Sequence, residues 1–140
     1  MFVDRSIDPT ADQVRALRDV PDDRPITMVN LLKFRAQARY EDGGEAPCSG
    51  REAYARYKKA FTVTVGAVSQ AQVVFQGPVQ QVFIGAAGRP ETDWDEVLVV
   101  RYPSRRHFLA MMADPAYGAA LRHRYAGLER TVLLQCSAAE

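Results

Sequence analysis

The chain has 140 residues, 47% hydrophobic and 25% charged, which is the balance of one globular domain rather than of a disordered or fibrous protein. Eighteen basic and 17 acidic side chains give a formal net charge of +1. This argues against a nucleic-acid partner, because phosphate binding needs an excess of Lys and Arg on one face. No apolar run approaches the roughly 18 residues of a membrane helix, and the N-terminus carries acids and a proline where a secretory signal is apolar. We therefore expect a cytoplasmic protein without a membrane partner.

Cysteine and histidine are scarce. The chain has two of each, and neither type is clustered, so the sequence predicts no zinc-type site. Cys48 and Cys136 are far apart, which favours two buried or idle thiols over a disulfide. No phosphate-binding glycine loop is present either, and we expect no cofactor.

Residues 1–25 are predicted to form a short helix and a linker ahead of the core. Residues 8–10 supply a capping residue and a proline in the first turn, and Val14 and Leu17 follow at helical spacing. The helix ends by Pro21, and the polar stretch 21–25 is the linker.

The first predicted strand spans residues 26–34, which are rich in β-formers and free of Gly and Pro. Residues 35–50 are polar, with a Gly-Gly pair and a proline, and predict a mobile surface loop. A loop of this length is either a functional lid or a disordered insertion, and both alternatives stay open.

A helix is predicted from Arg51, because Tyr54, Tyr57, Phe61 and Val65 form one apolar stripe. Gly66 is a possible end. A long strand over 71–84 follows, interrupted at residues 77–78, where a Gly-Pro pair indicates a bulge or bend on an edge strand. The next strand, 94–102, completes a hairpin.

Two helical segments and a strand complete the chain. Ser104 is a predicted helix cap, and Asp114-Pro115 breaks the helix and restarts it. The second segment carries an apolar stripe, and the last strand spans 131–136. The stripe comprises Tyr117, Leu121, Tyr125 and Leu128.

The order after the leading helix is β-α-β-β-α-β, within a core of about 26–136 in a single domain, 1–140. This order is the split βαβ arrangement of a ferredoxin-like α+β fold, an antiparallel sheet with both helices on one face. The first and third strands are apolar on both faces, whereas a sheet with one wet face alternates. A second copy of the chain is the simplest cover, so we expect a homodimer.

Five sequence segments also resemble the family called domain of unknown function 1330, over about residues 26–134. They are VNLLKFR, GREAYARY, FQGPVQQVFIG, WDEVLVVRYPSR and the helix DPAY…R…GL. The resemblance implies membership of the dimeric α/β-barrel superfamily, which includes cofactor-free monooxygenases, muconolactone isomerase and haem-dependent chlorite dismutases. The family carries no settled activity, so the resemblance implies a fold and a dimer rather than a reaction.

Three residues are candidates for chemistry. Asn30 interrupts an apolar strand and either lines a cavity, where it binds a ligand or activated oxygen, or ties down a neighbouring loop or helix end, since a buried amide needs partners. Arg101 leaves an apolar face and either clamps a carboxylate or pairs with an acid across a dimer interface. His123 is the best general base by residue type, although its position on the helix is predicted to be exposed or packed against another helix.

Candidate ligand-binding residues are mainly aromatic. Tyr54 and Tyr57 belong to a helical stripe, which is typical of a core, although their hydroxyls could reach a cavity rim. Trp94 and Tyr102 flank the third strand. Arg124 belongs to a basic cluster that is either a solvated face or the mouth of an anion-attracting cavity; the cluster comprises Arg101, Arg105, Arg106, Arg122 and Arg124.

Two functions remain open from the sequence. The first is a protein that binds, and in an enzyme also transforms, a small apolar molecule in a pocket of several hundred Å³ lined by Asn30 and aromatic side chains. The second is a non-catalytic binding or scaffold dimer with no cavity. Haem binding, a third alternative, needs an axial histidine that points into the cavity, and the placement of His123 argues against it.

Overall fold

The computed structural model describes residues 6–43 and 47–138. Its four strands form one antiparallel sheet in the order β2-β3-β1-β4, so the predicted α+β fold with its β-α-β-β-α-β order is confirmed. The elements are α1 (Ala11–Arg18), β1 (Ile26–Phe34), α2 (Gly50–Thr64), α3 (Gly66–Ser69), β2 (Gln72–Pro78), β3 (Glu96–Tyr102), α4 (Arg105–Ala113), α5 (Pro115–Gly127) and β4 (Leu128–Cys136).

The two faces of the sheet differ in their cover. One face, here called the inner face, packs against the helices and buries Ile26, Met28 and Leu32 of β1. The opposite face, here called the outer face, has no helix over it in the described residues. Its apolar side chains are Val29, Leu31, Phe75, Val97, Val99, Val132 and Leu134.

Local capping explains where the helices begin. Ser104 accepts a hydrogen bond from the His107 backbone N–H, and Asp114 accepts one from Ala116, as predicted for α4 and α5. α1 is capped by Thr10 rather than Asp8. The Thr10 side chain accepts a hydrogen bond from the Gln13 backbone N–H, and the Gln13 side chain accepts one from the Thr10 backbone N–H.

Helices α2 and α5 pack tightly because two glycines meet at their ends. A Cβ atom on Gly50 would lie 2.2 Å from the Arg35 carbonyl oxygen and 2.6 Å from that of Gly127. A Cβ atom on Gly127 would lie 2.5 Å from the Gly50 carbonyl oxygen. Only glycine permits this backbone approach, which also lets the Arg35 N–H donate to the Gly127 carbonyl at 2.8 Å.

The second strand is shorter than the predicted 71–84. β2 ends at Pro78, which lies opposite Glu96 on an edge strand, and the register shift lies between Val73 and Phe75 rather than at the Gly-Pro pair. Beyond the strand, the Val79 N–H still donates to the Asp95 carbonyl at 3.0 Å, while the Asp95 N–H donates to the Leu32 carbonyl at 2.8 Å. Hydrogen bonding toward β3 therefore reaches Val79, and residues 80–84 lie outside the strand.

Three other boundaries differ from prediction by a few residues. β3 begins at Glu96 rather than residue 94. Gly66 does not end helical structure but begins the short α3. β4 begins at Leu128 directly after α5, and a register shift opposite Lys33 and Phe34 accommodates this early start.

The described parts of the 35–50 segment make several hydrogen bonds, and the mobility of this loop stays a prediction. The Arg39 N–H donates to the Ala126 carbonyl at 2.9 Å, and Ala38 N–H donates to Cys48 at 2.9 Å. The Tyr40 hydroxyl lies 2.7 Å from Nδ1 of His123. Residues 44–46 lie outside the described residues.

Two further predictions concern thiols and membranes. Cys48 and Cys136 are free thiols; Cys136 is exposed rather than buried. Within residues 6–43 and 47–138 no helix combines the length and the apolar character needed to cross a bilayer.

The Gly50–Gly127 contact yields a stability prediction. Gly127→Ala should lower the free energy of unfolding by about 1–3 kcal/mol, because the added methyl group forces the two helix ends apart. Gly118→Ala is the matched control in α5, where nothing lies within 4 Å of an added Cβ. It should raise stability by about 0.5–1 kcal/mol. Urea unfolding at constant m-value measures both, and equal effects of the two changes would contradict the close-packing argument.

Candidate functional site

A pocket of about 610 Å³ lies between the inner face of the sheet and the helices, on the β4 side. Its floor is Met28 of β1 and the strand β4, and its walls come from α4 and α5. Residues 6–9 and α1 close the remaining side. The exposure of Leu133 reflects this position of the pocket. Leu133 lies on the inner face opposite Asn30, yet its side chain is 41% exposed because the pocket rather than a helix lies over it.

The lining is apolar over most of its area. Leu109 and Met112 of α4 and Leu121 of α5 face Val14 and Leu17 of α1 across the space. An apolar concave pocket with a few convergent polar groups is the ordinary form of a small-molecule site. The other apolar lining residues are Ile7, Pro9, Met28, Phe108, Val132, Leu133 and Leu134.

The polar groups gather at the end of the pocket formed by α5 and residues 6–9. Arg124 Nη2 donates to the Ile7 carbonyl at 2.9 Å, and the Tyr125 hydroxyl donates to Asp8 Oδ1 at 2.7 Å. The Tyr117 hydroxyl lies 3.4 Å from that of Tyr57. Since Tyr117, Leu121 and Arg124 recur at i, i+4 and i+7, α5 presents them on one face toward the pocket.

Arg124 remains a cation in this setting. Burial works to lower its pKa, but Tyr57, Tyr117, Tyr54 and Asp8 outweigh burial and raise the pKa overall. Burial also raises the pKa of Tyr125 to about 12, and the hydrogen bond to Asp8 and the charge of Asp8 add to this. The Tyr125 hydroxyl is therefore a neutral donor at physiological pH.

The predicted tyrosines lie in the core next to the pocket. Tyr54 packs edge-on against Phe34 and Tyr57, with ring centroids 5.6 and 5.1 Å away. Burial is the main cause that raises the pKa of Tyr54, Tyr57 and Tyr102 well above the usual value. Tyr57 reaches the pocket only through its contact with the Tyr117 hydroxyl.

Asn30 does not line the pocket. Its side chain lies on the inner face and Nδ2 donates to the Leu98 carbonyl at 3.0 Å, on the neighbouring strand. This contact fits the alternative in which the amide ties down a neighbouring segment, although that segment is β3 rather than a loop or helix end. A ligand-contacting role for Asn30 stays a prediction.

Both histidines of the chain are described, and neither lines the pocket. His123 faces the 35–50 segment, where it contacts Tyr40 through the ring as well as through Nδ1. Nδ1 of His107 lies 2.7 Å from the Ser104 hydroxyl oxygen. A haem in this pocket would thus have no axial histidine.

The predicted basic cluster is not one surface. Arg101 is exposed on the outer face beside Thr27 and Gln72, while Arg124 lines the pocket on the opposite side of the sheet. The other three are also separate: Arg105 is buried at the start of α4, Arg106 pairs with Asp23, and Arg122 pairs with Asp42.

Trp94 also lies away from the pocket. Its Nε1–H donates to the Glu91 carbonyl at 2.8 Å, and the Arg130 guanidinium stacks over its ring at 4.3 Å. A more open depression of about 470 Å³ near Lys33 and Asp95 has a lining that is about half polar and half apolar. No group of three or more potential metal ligands occurs within the described ranges.

Sequence reasoning missed the contribution of residues 6–9 and α1. The sequence placed them ahead of the core, because their apolar positions form too short a pattern to show what they cover. The stripe on α5 was the available signal, since it included Tyr117, Leu121 and Tyr125.

The protein has the ferredoxin-like α+β fold, and solved proteins with that fold include dimeric ones. A protein of this fold from Bacteroides fragilis, described as dimeric and of unknown function, is 13% identical, with a TM-score of 0.51 over 81% of this chain and 96% of that one. At3g17210 from Arabidopsis thaliana is 11% identical, with a TM-score of 0.54 over 82% of this chain and 96% of that one.

The chain belongs to the family described as domain of unknown function DUF1330, which matches residues 46–135. The RPA0582 protein of unknown function from Rhodopseudomonas palustris is 32% identical, with a TM-score of 0.84 over 96% of this chain and 97% of that one. No curated protein matches the chain in sequence.

The Tyr125–Asp8 bond gives a pH-dependent prediction. Tyr125→Phe should lower stability by about 1 kcal/mol at neutral pH, the usual value of one hydrogen bond. Because the folded-state pKa of about 12 lies above the ordinary value near 10, this difference is present below about pH 10. It should shrink as the pH rises toward 12. Thermal unfolding of both proteins across this range measures it, and a difference that grows with pH would contradict the assignment.

Proposed function

We propose that this protein binds a small, mostly apolar organic molecule in the pocket between α1, α4, α5 and β4. The observation that carries the proposal is the pocket itself: about 610 Å³, apolar over most of its lining and polar at one end. Packed interiors leave few voids larger than a water molecule, so a space of this size costs dispersion contacts unless something occupies it.

The chemistry of the pocket supports binding more directly than catalysis. An apolar enclosure desolvates a ligand, and a few fixed donors orient it. A general base would have to come from the polar end, where the carboxylate of Asp8 already accepts a hydrogen bond from the Tyr125 hydroxyl. The scaffold alternative is a dimer without a cavity. It is disfavoured because the cavity lies within one chain, on the inner face of the sheet, so pairing through the outer face does not fill it.

We also propose that the outer face pairs with the outer face of a second copy. Phe75 is 56% and Leu134 is 50% exposed, and Val29 and Val99 lie between them at the centre of the sheet. Exposed apolar side chains continue after β2, where Phe83 and Ile84 are 86% and 88% exposed. A contiguous apolar surface of this kind marks a protein interface.

The pocket proposal is tested by filling the space. Leu121→Trp should lower the affinity for the uncharged dye Nile red at least about tenfold, since the indole occupies the pocket volume. Val63→Trp on α2 is the matched control, because Val63 is 78% exposed and faces away from the pocket. Fluorescence titration measures both. Equal affinity in all three proteins, or no binding to the wild type, refutes the proposal.

The dimer proposal is tested at the centre of the outer face. Val99→Asp should convert a dimer to a monomer, because a carboxylate buried in the interface without a partner is strongly unfavourable. Val63→Asp carries the same charge on an exposed helical position and should stay dimeric. Sedimentation equilibrium gives the masses, with thermal unfolding as a check of folding. A wild-type chain that sediments as a monomer contradicts the proposal.

A further inference from the structure

The polar end of the pocket contains one cation, Arg124, that no described carboxylate pairs with directly. Among the described residues that line the pocket, Arg124 is the only Lys or Arg. A guanidinium has five N–H donors, and the hydrogen bond of Arg124 in the structure goes from Nη2 to the Ile7 carbonyl. Arg124 makes no ion pair with any carboxylate in the part of the chain that the structure describes.

Asp8 also lines the pocket, and its charge acts on Arg124. Its Oδ1, however, accepts a hydrogen bond from the Tyr125 hydroxyl at 2.7 Å, and Arg124 donates to the Ile7 carbonyl instead. A cation in a largely apolar pocket without a directly paired anion is unfavourable, and a ligand with a negative charge reduces this cost.

We propose that the pocket receives small molecules with an apolar body and a single carboxylate, and that Arg124 binds the carboxylate. This inference rests on the proposed function of the pocket. A planar guanidinium presents pairs of N–H groups that match the two oxygens of a carboxylate. The Tyr117 hydroxyl also lines the pocket and is a second donor beside it.

The charges of the lining favour a monoanion over a phosphate ester. Arg124 is accompanied by the carboxylate of Asp8, so the lining has no excess of positive charge, whereas a phosphate dianion recruits several basic groups. The rest of the lining is largely apolar, including Leu17, Leu109 and Met112, and suits a hydrocarbon chain or an aromatic ring. Aliphatic and aryl-substituted monocarboxylic acids are therefore the class that the pocket fits.

The alternative is that Arg124 only anchors the backbone of residues 6–9 through Ile7. In that case the charge of a ligand is irrelevant, and replacing Arg124 weakens all ligands alike through the fold. Two pairs of probes separate these cases: octanoate with octanamide, and phenylacetate with phenylacetamide. Each pair keeps the apolar body and removes the negative charge.

Calorimetric titration of the full chain with the four probes is the experiment. The wild type should bind each carboxylate at least about tenfold more tightly than its amide, the usual effect of a hydrogen bond to a charged group. Arg124→Gln should abolish this ratio and leave amide affinity nearly unchanged. Arg124→Lys should keep part of it, because the charge remains but the paired donors do not.

Arg122→Gln is the matched control on the same helix, since Arg122 pairs with Asp42 outside the pocket; it should keep the full ratio. Equal wild-type affinity for carboxylate and amide overturns the inference, and this comparison holds even if Arg124→Gln does not fold. If Nile red binds while the ratio is near one, only the carboxylate assignment fails. If neither the dye nor any probe binds, the pocket proposal fails as well.

Discussion

The whole structure depends on a sheet that is apolar on both faces in a chain whose helices cover only one. Ile26, Met28 and Leu32 alternate along β1 with Val29 and Leu31, so the strand buries one set and leaves the other half-open. Antiparallel sheets usually present a polar face to water. This chain instead has apolar side chains on both faces. The helices, the core and the pocket all lie on the inner face, and the outer face is left as an apolar surface without a cover from the described chain.

On the inner face, the position of α2 and α5 decides where space is left. The backbone contact between Gly50 and Gly127 draws these two helices together, and the Tyr54 and Tyr57 rings fill the layer beneath them. Their contact covers the middle of the sheet but not the β4 side, where Leu133 faces inward without a helix over it. Helix α1 spans this gap with no fully buried residue of its own. The pocket is thus a consequence of two helices packed closely and a third packed loosely.

Much of the fold follows from local chemistry that a sequence displays. Ser104 and Asp114 cap helices because their side chains reach the following N–H groups, and β1 follows from an uninterrupted run of β-formers. The end of β2 at Pro78 does not follow from its own residues, because residues 79–84 carry apolar side chains as a strand does yet lie outside the sheet. For the site, the spacing on α5 indicates which residues share a face with Arg124. It does not show that residues 6–9 complete the pocket, or that His123 faces a tethered loop, because both depend on contacts between distant segments.

Strand β4 connects the two faces, and it does so through the alternation of a single strand. Val132 and Leu134 point to the outer face, while Thr131, Leu133 and Gln135 point to the pocket. β4 is also an edge strand, and on its open side the Thr131 N–H donates to the Ser6 carbonyl at 2.8 Å. A partner that covers the outer face therefore rests on the same backbone that forms the pocket floor. Because successive side chains of a strand cannot shift independently, whatever fixes Val132 and Leu134 also fixes Leu133 between them. The two proposed roles therefore share one strand.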